Sequence, residues 1–197
     1  MGIRDLMRTR PRGTMEHADA TRRQVRYAVA MSLDGYIAGP NGEFDWIVTD
    51  PDIDFGAVFK EFDTLLIGRK TYEMMREHSG PEMPGVTTFV ISRTLQQTDC
   101  VGATVARDPV ALLESIRKKP GKDIWLFGGG SLFRSLLDLC LVDTVEVAIV
   151  PILLGRGIPL LPSHAAQAKL RLLKHEVYPK TGTVSLKYAV VRAGQAV

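Results

Sequence analysis

The stretch Ile124-Trp-Leu-Phe-Gly-Gly-Gly-Ser-Leu-Phe133 decides the fold. Its first four residues are apolar and read as a short buried strand. Three glycines close that strand, and Ser131 to Cys140 then reads as a helix. A strand that passes through a glycine turn straight into a helix is the βα unit of a parallel sheet. Glycine weakens regular structure by about 0.5–1 kcal/mol relative to alanine. Three in a row at a strand end mark a place where another group comes close to the backbone. The segment is not the G-x-G-x-x-G fingerprint, because Phe133 fills the last glycine position. It is not a P-loop either, since no Gly-Lys-Ser/Thr follows.

The pattern repeats outward from this turn. Upstream, Thr64-Leu-Leu-Ile-Gly68 reads as a strand that enters a helix opening with Arg69-Lys70-Thr71. Val86 to Ile91 is a further strand, stopped by Ser92-Arg93-Thr94. A short strand near Thr104-Val-Ala106 precedes a helix from Pro109 to Lys118. Nearer the start, Val25 to Met31 reads as a strand bounded by Ser32-Leu-Asp-Gly35, with a second short one at Tyr36-Ile-Ala38. Gly39-Pro-Asn-Gly42 is a turn by composition. Either Asp52 or Asp54 caps a short helix through Phe55, Val58, Phe59 and Phe62. Val145 to Val150 is a strand. Leu170–Val177 and Val184–Val191 read as a closing antiparallel hairpin around Pro179-Lys-Thr-Gly182. Alternating strands and helices with a final hairpin predict an α/β fold. Its centre is a mixed, mostly parallel sheet flanked by helices.

Composition narrows the function. The chain has 197 residues, of which 45% are hydrophobic and 24% charged, values that suit one domain and exclude wholesale disorder. No run of 18 apolar residues occurs, so no membrane helix is expected. Four scattered histidines show no zinc-ligand spacing, and no metal is predicted. Cys100 and Cys140 sit among apolar neighbours and read as buried thiols of a cytoplasmic protein. Of 25 basic and 22 acidic residues, residues 1–24 hold six arginines and three acids, and the remainder balances at 19 each. The net charge of +3 thus belongs to a flexible basic leader, residues 1–24, ahead of a body spanning 25–197. A body of balanced charge argues against nucleic acid as a partner. An accessory nucleic-acid role would have to rest on the leader alone.

In open α/β sheets, ligands collect at the carboxyl ends of the strands. Three such ends carry unusual residues. Gly68-Arg69-Lys70-Thr71 puts two cations in the first turn of a helix, which is locally unfavourable unless an anion sits there. Ser92-Arg93 offers a hydroxyl and a guanidinium fork suited to a phosphate monoester. Gly128-Gly129-Gly130-Ser131 lets a ligand reach the backbone. Together they fit a phosphorylated dinucleotide laid across the sheet edge. No nucleophile–base signature competes, so a cofactor would carry the reaction.

Five pieces of the chain carry a family resemblance. They are Ala30-Met-Ser-Leu-Asp-Gly-Tyr-Ile-Ala38, Leu66-Ile-Gly-Arg-Lys-Thr-Tyr72, Val90-Ile-Ser-Arg93, Trp125-Leu-Phe-Gly-Gly-Gly-Ser-Leu132 and Val150-Pro-Ile-Leu-Leu-Gly-Arg-Gly-Ile-Pro-Leu160. In this order the body resembles the dihydrofolate-reductase-like superfamily, in the branch of the C-terminal reductase domain of the riboflavin-biosynthesis deaminase/reductase. The zinc-bearing deaminase half has no counterpart in these residues. The resemblance implies a three-layer dihydrofolate-reductase-like fold and an NADPH-dependent, homodimeric reductase acting on a small heterocycle. A (ribosylamino)pyrimidine is the first substrate class, and dihydrofolate or another pterin the second; an NADP-binding module without turnover is a third reading. Gly68, Arg69, Lys70 and Thr71 would hold the pyrophosphate and adenosine side, and Ser92 and Arg93 the 2′-phosphate. Gly128, Gly129, Gly130, Ser131 and Leu132 would wrap the pyrophosphate and ribose, with the first Gly-Gly bond cis. Backbone groups of Ala30 and Ile37 would meet the nicotinamide amide. Asp34 and Asp54 are the candidate catalytic carboxylates, and Trp46 a candidate substrate contact. Glu146 reads as a paired strand residue rather than a general acid.

Overall fold

Alternation along Val25–Ser32, strand β1, sends Val25 and Tyr27 to one face and Arg26, Ala28 and Ala30 to the other. Val25 and Tyr27 are fully buried in the main core. Arg26 is buried too, which a charge tolerates only when paired. The computed structural model describes residues 22–78, 84–163 and 167–192. After β1 come β2 (Tyr36–Ala38), α1 (Phe55–Phe59), β3 (Phe62–Gly68), α2 (Arg69–His78), β4 (Thr87–Ile91) and β5 (Thr104–Ala106). Then follow α3 (Pro109–Arg117), β6 (Asp123–Gly128), α4 (Gly130–Asp138), β7 (Thr144–Val150), β8 (Ile158–Pro159), β9 (Lys169–Tyr178) and β10 (Thr183–Val191).

The main sheet has the strand order β5-β4-β3-β6-β1-β7-β10-β9. The first six strands of that order pair in parallel, and β10 and β9 close the sheet antiparallel. This is the mixed, mostly parallel sheet with a terminal hairpin that the alternation predicts. A core of Val25, Tyr27, Leu113, Leu126, Leu136 and Val147 joins α3 and α4 to one face. A second cluster around Leu65, Ile67, Tyr72, Val90 and Trp125 packs the opposite face against α2.

Four details differ from the sequence reading. Helix α1 stops at Phe59, and Phe62 opens β3 instead, where it faces Asp123 of β6. A small second sheet, β2 with β8, was not anticipated. Cys140 is exposed, while Cys100 is buried as expected. Cys140 follows α4 with φ of 55°; its amide donates to Leu137 O at 2.9 Å and that of Leu141 to Leu136 O at 2.9 Å. Those paired bonds are the Schellman end of a helix, where glycine is usual. Residues 1–21 of the leader lie outside the described residues, but Arg22 and Arg23 are tied to the body. Arg23 is 9% exposed, donates to Lys122 O at 2.6 Å and Thr64 Oγ1 at 2.7 Å, and pairs with Asp63.

Candidate active site

The register of the parallel strands aligns their carboxyl ends. Gly68 lies beside Ile91, Ile91 beside Ala106, and Ile67 beside Gly128. The three stretches singled out in the sequence therefore share one edge of the sheet. Gly128 carries φ of 146° and its bond to Gly129 is cis. A Cβ on Gly68 would stand 3.8 Å from Gly128 O, and one on Gly129 would meet Thr71 Oγ1 at 3.5 Å. The α2 start and the triple-glycine turn thus touch. Gly130 is glycine for another reason: a Cβ there would strike Pro159 O at 2.6 Å and Leu160 O at 3.0 Å. The β8 segment, rather than a ligand, presses on it.

Helix α4 starts at Gly129 with no side-chain cap, and neither α2 nor α4 carries an acid in its first turn. The leading amides of α4 therefore present uncompensated donors and a positive dipole end. Ser131 is exposed beside them, while the side chain of Leu132 is buried in the core and leaves only its backbone for a ligand. Arg69 and Lys70 are exposed, with Arg69 Nε 3.8 Å from Glu73 Oε1 one turn on. Ser92 is buried, and its Oγ accepts from Thr94 N at 3.3 Å and Leu95 N at 3.0 Å, which shapes the turn that holds Arg93 outward. Arg107 completes this cationic edge and was missed in the sequence. It donates to Arg93 O at 2.8 Å and to Gln96 Oε1 at 3.1 Å. The available signal was an arginine directly after the β5 strand, as Arg93 follows β4. A pyrophosphate and a further phosphate fit this donor set: uncapped helix amides, glycine backbone and separate guanidiniums.

On the face of β1 that carries Ala28 and Ala30, an aromatic wall rises beside the small side chains. Trp125 stacks with Phe59 at 5.5 Å and Phe62 at 5.3 Å, and meets Phe127 edge-on at 5.1 Å. Trp125 Nε1 donates to Ala28 O at 2.9 Å, which fixes the indole on the sheet. Phe55 and Phe59 are 39% and 40% exposed, so the wall is open at its α1 side. Asp54 starts α1 and accepts from Ala57 N at 2.9 Å, as a helix cap does. Trp46 Nε1 donates to Glu43 O at 3.1 Å and staples its own loop. Ile37 lies half-buried in β2, between the residues that pair with β8.

Asp34 is engaged on both oxygens. It accepts from Ser32 Oγ at 2.6 Å, Leu154 N at 3.1 Å and Gly155 N at 2.7 Å. The Ser32 hydroxyl above all, then the amides of Gly155 and Leu154, hold its carboxyl below the usual value of 3.8 despite some burial. Its carboxylate clasps the β1–β2 turn to the 152–157 loop. Glu146 is a paired strand residue, as expected, with Arg26 and Lys187 as partners.

This sheet order, the closing hairpin and the glycine-lined carboxyl edge define a dihydrofolate-reductase-like fold. The family model of the RibD C-terminal domain matches residues 23–184. The chain belongs to that family of RibD-like reductases. It is 31% identical to the uncharacterized protein YyaP of Bacillus subtilis (strain 168) over 178 residues, 84% of this chain and 94% of that one. A solved structure of a putative riboflavin biosynthesis protein from Shewanella sp. PV-4 is 26% identical, with a TM-score of 0.73 over 86% of this chain and 99% of the other. Dihydrofolate reductase from Enterococcus faecalis, solved with NADP(H), shares the fold at 18% identity, with a TM-score of 0.63 over 86% of this chain and 97% of the other.

Proposed function

We propose that this protein is a cytoplasmic NADPH-dependent reductase that delivers hydride to a small heterocycle, with a (ribosylamino)pyrimidine of riboflavin synthesis as the substrate class. The observation that carries this reading is the contact of the α2 start with the triple-glycine turn under an uncapped helix, flanked by Arg69, Arg93 and Arg107. NADPH supplies the hydride when bound. Gly68 to Thr71 and Gly128 to Leu132 hold its pyrophosphate and riboses through backbone amides, Thr71 and Ser131. Arg93, placed by Ser92 and Arg107, takes the 2′-phosphate and favours NADPH over NADH. Backbone groups of Ala30 and Ile37 orient the nicotinamide amide.

The substrate ring lies against Phe55, Phe59 and the Trp125–Phe127 pair, with Trp46 at the rim. Asp34, ionised and held by three donors, orients the site. Asp54, an exposed carboxylate with one donor among the described residues, meets the polar edge of the substrate in this reading. Assembly as a homodimer belongs to the same reading. Among the described residues β9 is the edge strand of the sheet, with Leu170, Leu172 and Val177 40–59% exposed, and antiparallel pairing of two copies about His175 would set Lys174 opposite the partner's Glu176. Light scattering on wild type and Leu172→Lys reads that assembly directly.

The deciding experiment titrates NADPH and NADH side by side into wild type and Arg93→Ala, followed by nicotinamide fluorescence. A guanidinium–phosphate contact is worth about 1.5–3 kcal/mol, so NADPH affinity falls about 10–100-fold in the variant while NADH affinity holds. Turnover is then sought by NADPH oxidation with aminopyrimidines and pterins. Failure of either nucleotide to bind below millimolar concentration refutes the reductase reading, and binding without turnover leaves an NADP-binding module.

A further inference from the structure

The charges of the body balance in the sequence, yet the fold gathers arginines at the end of the sheet opposite the triple-glycine turn. Asp143, just ahead of β7, accepts from Arg22 at 3.0 Å, Arg117 at 2.6 Å and Arg192 at 2.6 Å, and from the amide of Val25 at 2.8 Å. Four donors saturate a carboxylate, which offers about four lone-pair sites. Arg22 spends one N–H on Asp143, and a guanidinium has five to give. Beside these groups opens a cavity of ≈ 280 Å³, lined by Arg22, Arg171, Arg192, Gln24 and Thr144, with Asp143 the only acid among the described residues that line it. Among the described residues, Arg171 makes no ion pair, although it points into this cavity. Arg117 lies beneath, and burial holds its pKa down; attraction by Asp143 opposes that, and repulsion from Arg22 and Arg192 adds to it. Among the described residues, Arg22, Arg117 and Arg192 thus converge on one carboxylate, with Arg171 beside them.

We propose that this cavity is a second ligand site, which binds a compact dianionic phosphoryl group through Arg22, Arg171 and Arg192. A tetrahedral oxyanion offers an oxygen to each of several separate guanidiniums, an arrangement that suits arginine forks. The cavity lies where β1 and β7 begin and β10 ends. The nicotinamide edge is the far end of β1, eight residues or about 25 Å away. The two sites are therefore distinct, and this one does not depend on the reductase reading.

Calorimetric titration of the full chain with inorganic phosphate, at ionic strength held constant with chloride, tests the proposal. Wild type binds saturably. Arg171→Ala, which removes an exposed side chain without an ion-pair partner, weakens binding about tenfold. It leaves NADPH affinity and thermal stability unchanged. Lys174→Ala, on the same strand, binds phosphate as wild type does, and so does Arg93→Ala at the cofactor edge. No saturable heat, or equal affinity in wild type and Arg171→Ala, overturns the site. Loss of phosphate binding in Arg93→Ala assigns the response to the cofactor edge and overturns it too. Citrate that binds as tightly as phosphate overturns the phosphoryl assignment.

Discussion

Replacement of Arg26 by methionine tests a buried charge that pairs with three carboxylates. Arg26 is 6% exposed and forks onto Glu146, with Nε to Oε1 at 2.7 Å and the terminal nitrogen to Oε2 at 2.8 Å. It also pairs with Glu61, reaches Asp123 at 3.3 Å, and lies 4.6 Å from the ring centre of Phe62. Methionine keeps most of the apolar stem and removes the charge. Breaking a buried pair from one side costs about 3–5 kcal/mol, because the other charge stays buried alone. Here the loss is smaller. Glu146 keeps Lys187 at 3.1 Å and the Thr144 hydroxyl at 2.9 Å, and Glu61 is half exposed, so its share is slight. The expected loss is about 2–3 kcal/mol. Arg26→Met with Glu146→Leu should cost less than Arg26→Met alone, since an apolar pair leaves no orphaned charge.

The assay is urea denaturation followed by tryptophan fluorescence, with Trp125 as the buried reporter. Acid gives a second reading. Burial pushes the Glu146 carboxyl up, but Arg26, Lys187 and Thr144 outweigh it and hold its pKa below the ordinary 4.5. A lowered folded pKa means that the stabilisation is complete above 4.5 and is lost as pH falls through the folded value. The gap between wild type and Arg26→Met therefore narrows below pH 4.5, as protonation removes the orphaned charge in the variant. A loss under about 0.5 kcal/mol at neutral pH, or a gap that widens in acid, refutes the argument.

Three further outcomes are expected. Cys140→Gly relieves the positive φ at the end of α4 and stabilises by about 0.5–1 kcal/mol, read in the same denaturation; in the native wild type a thiol reagent labels Cys140 and spares Cys100. Tyr27 stacks on Phe133 at 3.8 Å, and its fully buried hydroxyl has no hydrogen-bond partner among the described residues, so Tyr27→Phe gains about 1 kcal/mol and raises Tm by about 2–4 °C. Gly130→Ala forces a methyl group against Pro159 and Leu160, costs about 1–3 kcal/mol, and weakens nucleotide binding because the α4 start must shift.

What was legible in the sequence and what was not divide along a physical line. The shared carboxyl edge could be read because each part is local: a glycine, a cation or a hydroxyl directly after an apolar strand, its position set by the strand end itself. Three such ends then fall on one edge because parallel strands share a direction. Phe62 was misplaced since apolar residues at helical spacing run on from Phe55, Val58 and Phe59, and only its pairing with Asp123 of β6 pulls it into a strand. Cys140 looked buried among leucines, but a residue in the left-handed region at a helix end turns outward whatever its neighbours are. Strand β8 holds two residues and exists through its pairing with β2, so no periodicity announces it. The charge networks were the least visible. Arg22, Arg117 and Arg192 meet on Asp143 from three separate stretches, and Arg23 looked like part of a solvated leader until Asp63 and Thr64 enclosed it. A balanced count of charges cannot reveal such clustering, because it averages over the distances that decide the energy. One end of this sheet is written in local motifs and the other in long-range pairs. For that reason the sequence points to the glycine-lined edge and is silent on the arginine cavity.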